Sequence, residues 1–293
     1  MLKAGFYLLG EKGYFVLGEF IARYGVESVA FVEYAIDASV ENDCSEAIVT
    51  LCKSTGLHNL YLRGENKEIE SCICFAVGWR WIIQNVPRLV VLHDSILPKY
   101  RGFSPLVNML INGESKIGVT ALIASESYDE GDILAQAEAV VDYPIKIKDA
   151  IKLISPLYAE VIFEVCELYI KETTLVGKLQ DHSLATYSIW RDNEDYKLSW
   201  SDDAKKLVRA CDALGYPFSG ALIQTCDEKY RLLSATEICD VFVEDRAAHL
   251  GKVIFYRDGK PVVVCGKGLL RLDVILDMNG NICSLNKFRT RFL

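Results

Sequence analysis

The sequence is poor in proline, with 7 residues against 20 glycines, and we find no internal repeat or low-complexity segment. This composition excludes the disordered and collagen-like classes. Basic residues are also in deficit, since 32 Lys and Arg stand against 40 Asp and Glu and give a formal charge of −8. The chain therefore lacks a general positive field that would attract nucleic acid, while a local basic pocket for phosphate remains compatible with it.

Long apolar runs are missing as well, because charged residues such as Arg80 and Glu160 interrupt every hydrophobic segment before it reaches 18 residues. We therefore predict no membrane span. The first residues lack the pattern of an export signal, so the ten cysteines are interpreted as small buried hydrophobes in a reducing cytoplasm. Cys72 and Cys74 have no second pair or nearby histidine, and we predict no metal site.

The chain does contain a regular alternation of short apolar segments and helical spacing in its first half, which is typical of βα units. Pro156 is expected to kink or restart the last helix. The predicted strands are Ala4–Leu9, Val29–Tyr34, Cys72–Val77 and Leu89–Leu92, and the predicted helices follow Gly13 and span Glu41–Lys53 and Lys146–Thr173.

The pattern changes in the second half. Polar residues from Gln180 to Ser183 are interpreted as a linker, which gives an N-terminal domain over residues 1–180 and a C-terminal domain over residues 181–293. One short helix over Asp202–Leu214 and five strand-like runs between Ala221 and Ile275 follow. The predicted fold is α/β: a Rossmann-like, mostly parallel sheet domain followed by a smaller α+β domain with an antiparallel sheet.

A glycine pair, Gly10-x-x-Gly13, lies between the first predicted strand and helix, where a helix N-terminus can hold an anion. The third glycine of the dinucleotide fingerprint and the Gly-Lys-Ser/Thr of a Walker A loop are both missing. A phosphate site and a plain βα turn remain open, and Lys12 is a candidate because its loop lies at the carboxyl end of a strand.

The most informative segment is His93–Gly102, which follows a predicted strand and places a titratable ring at the carboxyl edge of the sheet. Together with Gly118–Thr120 and the Asp129–Gln136 loop, it resembles the folate-dependent formyltransferases in residue order and spacing. The residues that match in the first segment are His93-x-Ser95-x-Leu97-Pro98-x-Tyr100-Arg101-Gly102, and those that match in the loop are Asp129-x-Gly131-Asp132-Ile133-x-x-Gln136. The resemblance implies transfer of a formyl group from N10-formyltetrahydrofolate, a co-substrate, to an amine.

Two segments of the second half, Tyr187–Trp200 and Gly215–Ala221, look like the nucleotide-sugar N-formyltransferases. That subgroup implies a dTDP- or UDP-linked amino sugar as the acceptor, for surface glycans such as lipopolysaccharide. Methionyl-tRNA formyltransferase is the alternative of the same fold, and a catalytically impaired, formyltransferase-like binding protein is the alternative from another class. A homodimer is one assembly compatible with the resemblance.

The resemblance implies a set of site residues. His93 would transfer protons, since a free histidine has a pKa of about 6.5, and Asp129 would orient it. The implied folate contacts are Gly78, Trp79, Arg80, Trp81, Asp129, Gly131 and Asp132. The acceptor contacts are predicted to be Lys12, Ser95, Tyr100, Arg101, Asn108, Trp190 and Tyr216. Core packing is the alternative for the tryptophans, and a structural clamp on the Pro98 turn is the alternative for Arg101.

One position departs from the family pattern. Two residues before the histidine the family usually has an asparagine whose amide donates to the developing oxyanion, but this chain has Val91, which cannot donate. Loss of one such donor typically costs about 10²- to 10³-fold in rate. The substitutes that we consider are Asp94 if protonated, Ser95, Asn108 and a backbone N–H near His93.

Overall fold

The computed structural model describes residues 2–67, 72–285 and 287–293. The chain forms two compact units, and each is described below by itself. The first unit comprises Met1–Leu106, Ser115–Val141 and Asp149–Ile189, and the second comprises Val107–Glu114, Asp142–Lys148 and Trp190–Leu293. Gln180 is thus a buried residue of the first unit rather than part of an exposed linker.

The first unit is built on a sheet of seven strands within the described residues, in the order β3-β2-β1-β4-β5-β7-β8. Strands β1 to β5 are mutually parallel, and β7 and β8 are antiparallel to their neighbours. The short strands β6 and β9 pair separately. The bounds are β1 Ala4–Leu8, β2 Val29–Tyr34, β3 Leu60–Leu62, β4 Ile73–Val77, β5 Leu89–His93, β6 Arg101–Gly102, β7 Lys116–Ile123, β8 Ile133–Val140 and β9 Tyr187–Ser188. The prediction of a mostly parallel α/β sheet is confirmed.

The continuous burial of β1 and β4 explains why their sequences are apolar throughout, as expected for parallel strands covered on both faces. The helices are α1 Gly10–Tyr24, α2 Ser45–Thr55, α3 Pro105–Asn112 and α4 Ile147–Glu172. Helix α1 begins at Gly10, so the predicted glycine loop is instead its first turn. Helix α4 continues through Pro156, so the predicted restart does not occur.

The second unit contains helix α5 and an antiparallel sheet in the order β10-β11-β14-β13-β12, with β15 paired to β14. Asp203 caps α5 by accepting a hydrogen bond from the backbone N–H of Lys205 at 2.8 Å. The bounds are α5 Ala204–Ala213, β10 Ala221–Gln224, β11 Lys229–Ile238, β12 Val253–Arg257, β13 Lys260–Val264, β14 Leu269–Leu276 and β15 Ile282–Cys283. The predicted antiparallel sheet is confirmed.

Among the described residues, no helix combines the length and apolar character that crossing a membrane requires. None of the ten cysteines, all of which lie in the described ranges, forms a disulfide.

A buried carboxyl group on α5 makes the stability of the second unit depend on pH. Burial raises the pKa of Asp212 from 3.8 to about 6, while the Lys146 ammonium, 3.8 Å away, opposes the shift. The folded state therefore binds this proton more tightly than the unfolded chain, and the resulting stabilisation is complete below about pH 3.8 and is lost as the pH rises through about 6.

We expect the free energy of unfolding, measured by urea denaturation, to fall between pH 4 and 7 in the wild type relative to Asp212→Asn. The asparagine variant keeps the shape of the side chain and has no proton to lose. Parallel stability curves for the two proteins over this range would contradict the prediction.

Candidate active site

The carboxyl ends of the parallel strands meet at one edge of the sheet, where α/β proteins place their sites. His93 is the last residue of β5 and is buried. The segment that follows it up to Ser104 contains three residues with positive φ, namely Tyr100, Gly102 and Ser104. These backbone conformations fold the segment back over the end of β5.

Both ring nitrogens of His93 have a defined neighbour. Nε2 lies 2.7 Å from the carbonyl oxygen of Tyr100, and because a carbonyl only accepts, Nε2 must donate its proton there. Nδ1 lies 3.4 Å from Oδ1 of Asp129. In the neutral ring Nδ1 therefore carries the lone pair, and after proton uptake the resulting charge faces a carboxylate. The Tyr100 carbonyl, rather than Asp129, therefore sets the tautomer of the ring.

Asp129 is held beside His93 by backbone contacts. Its φ is +56°, in the left-handed region that only a few side chains adopt readily. The backbone N–H of Gly102 donates to its Oδ2 at 2.8 Å. Oδ1 is the oxygen that faces His93, so the two carboxylate oxygens have separate roles.

Arg101, predicted as a phosphate contact, is only 1% exposed. Its Nε and Nη2 donate to Oε1 of Gln180 at 3.2 and 2.7 Å, and Nη1 donates to Oε1 of Glu130 at 3.1 Å. The guanidinium thus joins the segment after His93 to Gln180 and to the loop that contains Glu130. This geometry favours the structural clamp over direct contact with a phosphate.

Ser95, predicted to contact the acceptor, is fully buried, and its hydroxyl donates to the carbonyl of Lys99 at 2.6 Å. Thr120 of β7 donates to the Ser95 carbonyl at 2.7 Å and accepts from the Leu97 N–H at 3.1 Å. Gln136 of β8 donates to Leu97 and Thr120. Strands β7 and β8, which carry the other two matched segments, therefore hydrogen-bond to the turn around Pro98 and hold it in place.

Lys12 lies in the first turn of α1, with its ammonium 2.5 Å from Oδ2 of Asp94. The buried Tyr158 hydroxyl of α4 donates to the other carboxylate oxygen of Asp94. Burial, followed by the Asp94 charge, raises the pKa of Tyr158 well above 10, so this hydroxyl stays a donor. The charge of Lys12 is balanced within the protein, and an Asp94 with these two donors cannot itself serve as an oxyanion donor.

The predicted folate segment after β4 forms an aromatic corner. Trp79 contacts Tyr7 and Trp81 with ring centroids 5.5 and 5.2 Å apart, and its buried indole N–H has no partner among the described residues. Gly78 has a φ of +63°, and a Cβ there would lie 2.9 Å from the Leu9 carbonyl. Arg80 is exposed and pairs with Asp37 at 2.8 Å.

The other predicted folate segment is anchored to β7. A Cβ on Gly131 would lie 1.7 Å from the carbonyl oxygen of Ile123, and the Ile123 N–H donates to the carbonyl of Asp132 at 2.9 Å. At Gly131 the close backbone approach is thus made to β7 of the protein itself, and at Gly78 it is made to the Leu9 carbonyl between β1 and α1.

Three predicted acceptor residues belong to the second unit. Asn108 accepts a hydrogen bond from Arg191. Trp190 and Tyr216 have exposed rings, 58% and 42% accessible, and the Lys148 ammonium lies 6.0 Å from the Tyr216 ring centroid. The structure of the first unit brings together His93, Tyr100 and Asp129.

Val91 lies on the same face of β5 as His93, because the two residues are two positions apart along the strand. It is half-buried and packs against an apolar cluster that includes Tyr7, Phe31 and Leu89. An amide here would enter an apolar environment, and a polar group buried without a partner typically costs about 1 to 3 kcal/mol.

For Val91→Asn we therefore expect a lower free energy of unfolding, by about 1 to 3 kcal/mol, and no gain in kcat/KM for formyl transfer. Denaturant unfolding and steady-state kinetics on the same preparations would check both. Val91→Ile, which keeps the branched shape and adds no polar group, serves as the control. A faster Val91→Asn enzyme would show that the native oxyanion site is deficient and that the cluster accommodates the amide.

Sequence reasoning missed Gln180 and Tyr158 as members of this site, and it treated Thr120 only as part of a strand. Gln180 stands in a polar stretch, and Tyr158 continues the apolar stripe of α4. No local sequence signal indicates that Gln180 contacts Asp129 or that Tyr158 contacts Asp94.

The comparisons with known proteins agree on one family. Residues 80–152 match the profile "Formyl transferase", and residues 191–293 match "Formyl transferase, C-terminal domain". A methionyl-tRNA formyltransferase of Carboxydothermus hydrogenoformans is 32% identical over 155 residues, which cover 52% of this chain and 50% of that protein. The chain spans about half the length of the first curated relatives that it matches.

Solved structures extend the likeness over the whole chain. WlaRD, a sugar 3N-formyltransferase crystallised in the presence of dTDP and 5-N-formyl-THF, superposes with a TM-score of 0.67 and 17% identity, covering 98% of this chain and 99% of that one. Methionyl-tRNA formyltransferase from Clostridium thermocellum gives a TM-score of 0.53 and 18% identity over 81% and 94%. The two profile matches together cover more than half of the chain, and with them the chain belongs to the formyl transferase family.

Proposed function

We propose that this protein transfers a formyl group from N10-formyltetrahydrofolate to the amine of a nucleotide-linked amino sugar. The observation that carries the chemistry is the His93 ring, whose Nε2 donates to the Tyr100 carbonyl and whose Nδ1 faces Asp129. The sugar acceptor is supported by the likeness of nearly the whole chain to a sugar 3N-formyltransferase. The net charge of −8 disfavours an RNA acceptor.

Each reacting group has a role that follows from its surroundings. The neutral amine attacks the formyl carbon and its surplus proton passes to Nδ1 of His93. The bond from the formyl carbon to the folate nitrogen then breaks, and the imidazolium returns that proton to the departing nitrogen. Asp129 stabilises the imidazolium that forms. Asp94 accepts from two donors and Ser95 donates to the carbonyl of Lys99, so neither side chain supplies the hydrogen bond to the oxyanion.

The folate is expected to lie between the aromatic corner after β4 and the Asp129–Ile133 loop. The unpartnered indole N–H of Trp79 is a donor suited to a flat, polar heterocycle. For the acceptor, the exposed rings of Trp190 and Tyr216 are suited to stacking on a base. We assign the reaction to the cytoplasm, in keeping with cysteines that form no disulfide.

Methionyl-tRNA formyltransferase is the second candidate, because the relatives found by sequence carry that name. A binding protein without catalysis is the third, because Val91 replaces the usual donor. These three functions differ in what they consume and in which acceptor they modify.

The test offers N10-formyltetrahydrofolate with a dTDP-linked amino sugar, a UDP-linked amino sugar or methionyl initiator tRNA, and follows formylated product by mass spectrometry. Calorimetry with a reduced folate runs in parallel. Formylation of an amino sugar is expected. Transfer to the tRNA at a matching or higher rate would overturn the acceptor, folate binding without any transfer would favour the binding protein, and absence of binding at millimolar folate would overturn the whole proposal.

A further inference from the structure

We infer that Gln180 is a positioning residue for the reaction proposed above: its carboxamide, fixed by Arg101, holds the backbone of the Asp129–Gly131 loop so that Asp129 faces His93. The inference rests on the proposed function only for its kinetic consequence. The geometry of the loop can be tested without any turnover.

The carboxamide of Gln180 uses its whole hydrogen-bonding capacity at this place. Oε1 accepts from Nε and Nη2 of Arg101, and Nε2 donates to the carbonyl oxygens of Asp129 and Gly131 at 2.8 and 2.7 Å. Because arginine only donates and carbonyls only accept, the orientation of the amide is unambiguous. No other orientation of this group would satisfy all four neighbours.

The position of the loop depends on a small number of bonds. Asp129 has a φ of +56°, in the left-handed region that aspartate adopts more readily than most residues, so this conformation alone does not hold its carboxylate towards His93. The Gly102 N–H holds the Asp129 carboxylate, but only Gln180 binds the carbonyls on both sides of Glu130 among the contacts of the described residues. The conformation of the loop therefore depends on a residue 51 positions away from Asp129.

Burial makes this arrangement effective. Gln180 is 6% exposed and Arg101 is 1% exposed, so water has little access to replace either set of bonds. Arg101 also donates to Glu130 at 3.1 Å. The Arg101 guanidinium thus binds both Gln180 and Glu130. These contacts together set the distance between Asp129 and His93.

The kinetic test uses two variants that change the Gln180 amide in different ways. Gln180→Leu removes every bond, whereas Gln180→Glu keeps acceptors for Arg101 and turns its second oxygen against the two carbonyls. We expect kcat for formyl transfer to fall about 10- to 10²-fold in both, the usual consequence of a small misplacement. If Gln180 served only as a hydrogen-bond acceptor for Arg101, Gln180→Glu would retain wild-type activity, and that result would overturn the inference.

A double-mutant cycle shows whether Gln180 acts through Asp129. The Asp129→Asn/Gln180→Leu enzyme is expected to be no slower than Asp129→Asn alone, to within about twofold, because the carboxylate that Gln180 positions is already gone. Additive losses would mean an independent structural effect and would contradict the inference. Gln224→Leu in β10 removes the same amide outside the site and should leave kcat unchanged.

Hydrogen exchange separates this inference from the proposed function. Peptides covering residues 124–132 should exchange at least tenfold faster in Gln180→Leu and Gln180→Glu, while peptides from β1 and α1 should keep wild-type rates. Wild-type exchange in that loop, or faster exchange across the whole first unit, would overturn the positioning role. A wild-type protein that transfers no formyl group but shows the local effect would refute the function and leave the inference standing.

Discussion

Replacing His93 with asparagine should reduce kcat/KM for formyl transfer by about 10²- to 10⁴-fold, the range that general acid–base catalysis supplies. The reason lies in the two contacts of the ring. Asparagine is too short to bond the Tyr100 carbonyl and also present a basic atom to Asp129, and a carboxamide is not basic near neutral pH. The variant therefore loses both the proton acceptor and its alignment.

The measurement is steady-state kinetics with the acceptor that the wild type uses, together with thermal unfolding and folate binding by calorimetry. The unfolding temperature and the folate affinity should stay close to wild type if the substitution affects only the chemical step. His58→Asn makes the same chemical change at an exposed residue before β3 and should leave the rate unaltered. Near-native transfer by His93→Asn would show that the mechanistic assignment is wrong.

The strands that carry the site could be predicted from the sequence because buried parallel strands are apolar throughout. Val29–Tyr34 was predicted with the bounds of β2, and Leu89–Leu92 matched β5 to within one residue. The placement of His93 follows directly, since the residue after such a run lies at the carboxyl edge. The pattern at residues 10–13 was less informative, because glycine is compatible with both a turn and the first turn of a helix.

The direction of side chains in the His93–Ser104 segment could not be predicted. Tyr100 and Gly102 have φ values of +60° and +98°, and such backbone turns break the alternation that tells which side a residue faces. Ser95 and Arg101 therefore point inward, although their chemistry also suits an anionic ligand. Lys12 likewise has the charge to bind a phosphate, but its ammonium is paired with Asp94, which lies 82 positions away in the sequence.

Long-range pairing was the other missing information. Arg101 and Gln180 are 79 positions apart, and the polar run around Gln180 has the composition of a linker. A buried glutamine and an exposed one are indistinguishable in a single sequence. The family resemblance predicted His93 and Asp129 as a pair, and their side chains lie 3.4 Å apart, but it did not identify the residues that hold this pair together.

Replacing Arg101 with leucine is expected to have the largest effect on stability, because it leaves the buried Oε1 of Gln180 without its donors and leaves the partly buried Glu130 carboxylate with only the Tyr187 hydroxyl at 3.3 Å. Removing one partner of a buried charged pair typically costs about 3 to 5 kcal/mol. Since Glu130 retains 31% exposure, we expect a loss toward the lower end of that range. Arg101→Lys should recover only part of it, because one ammonium cannot reproduce the planar fork that serves both partners.

The same substitutions distinguish the clamp from a phosphate contact. If Arg101 is the clamp, urea unfolding shows the loss of stability and kcat falls, while the KM for the acceptor changes little. If Arg101 binds the diphosphate, stability stays near wild type and the acceptor KM rises. Arg23→Leu removes an exposed ion pair with Glu167, 46% and 52% accessible, and should cost less than about 1 kcal/mol. The burial of Arg101 and its bonds to Gln180 and Glu130 favour the first outcome, and an unchanged unfolding midpoint would refute it.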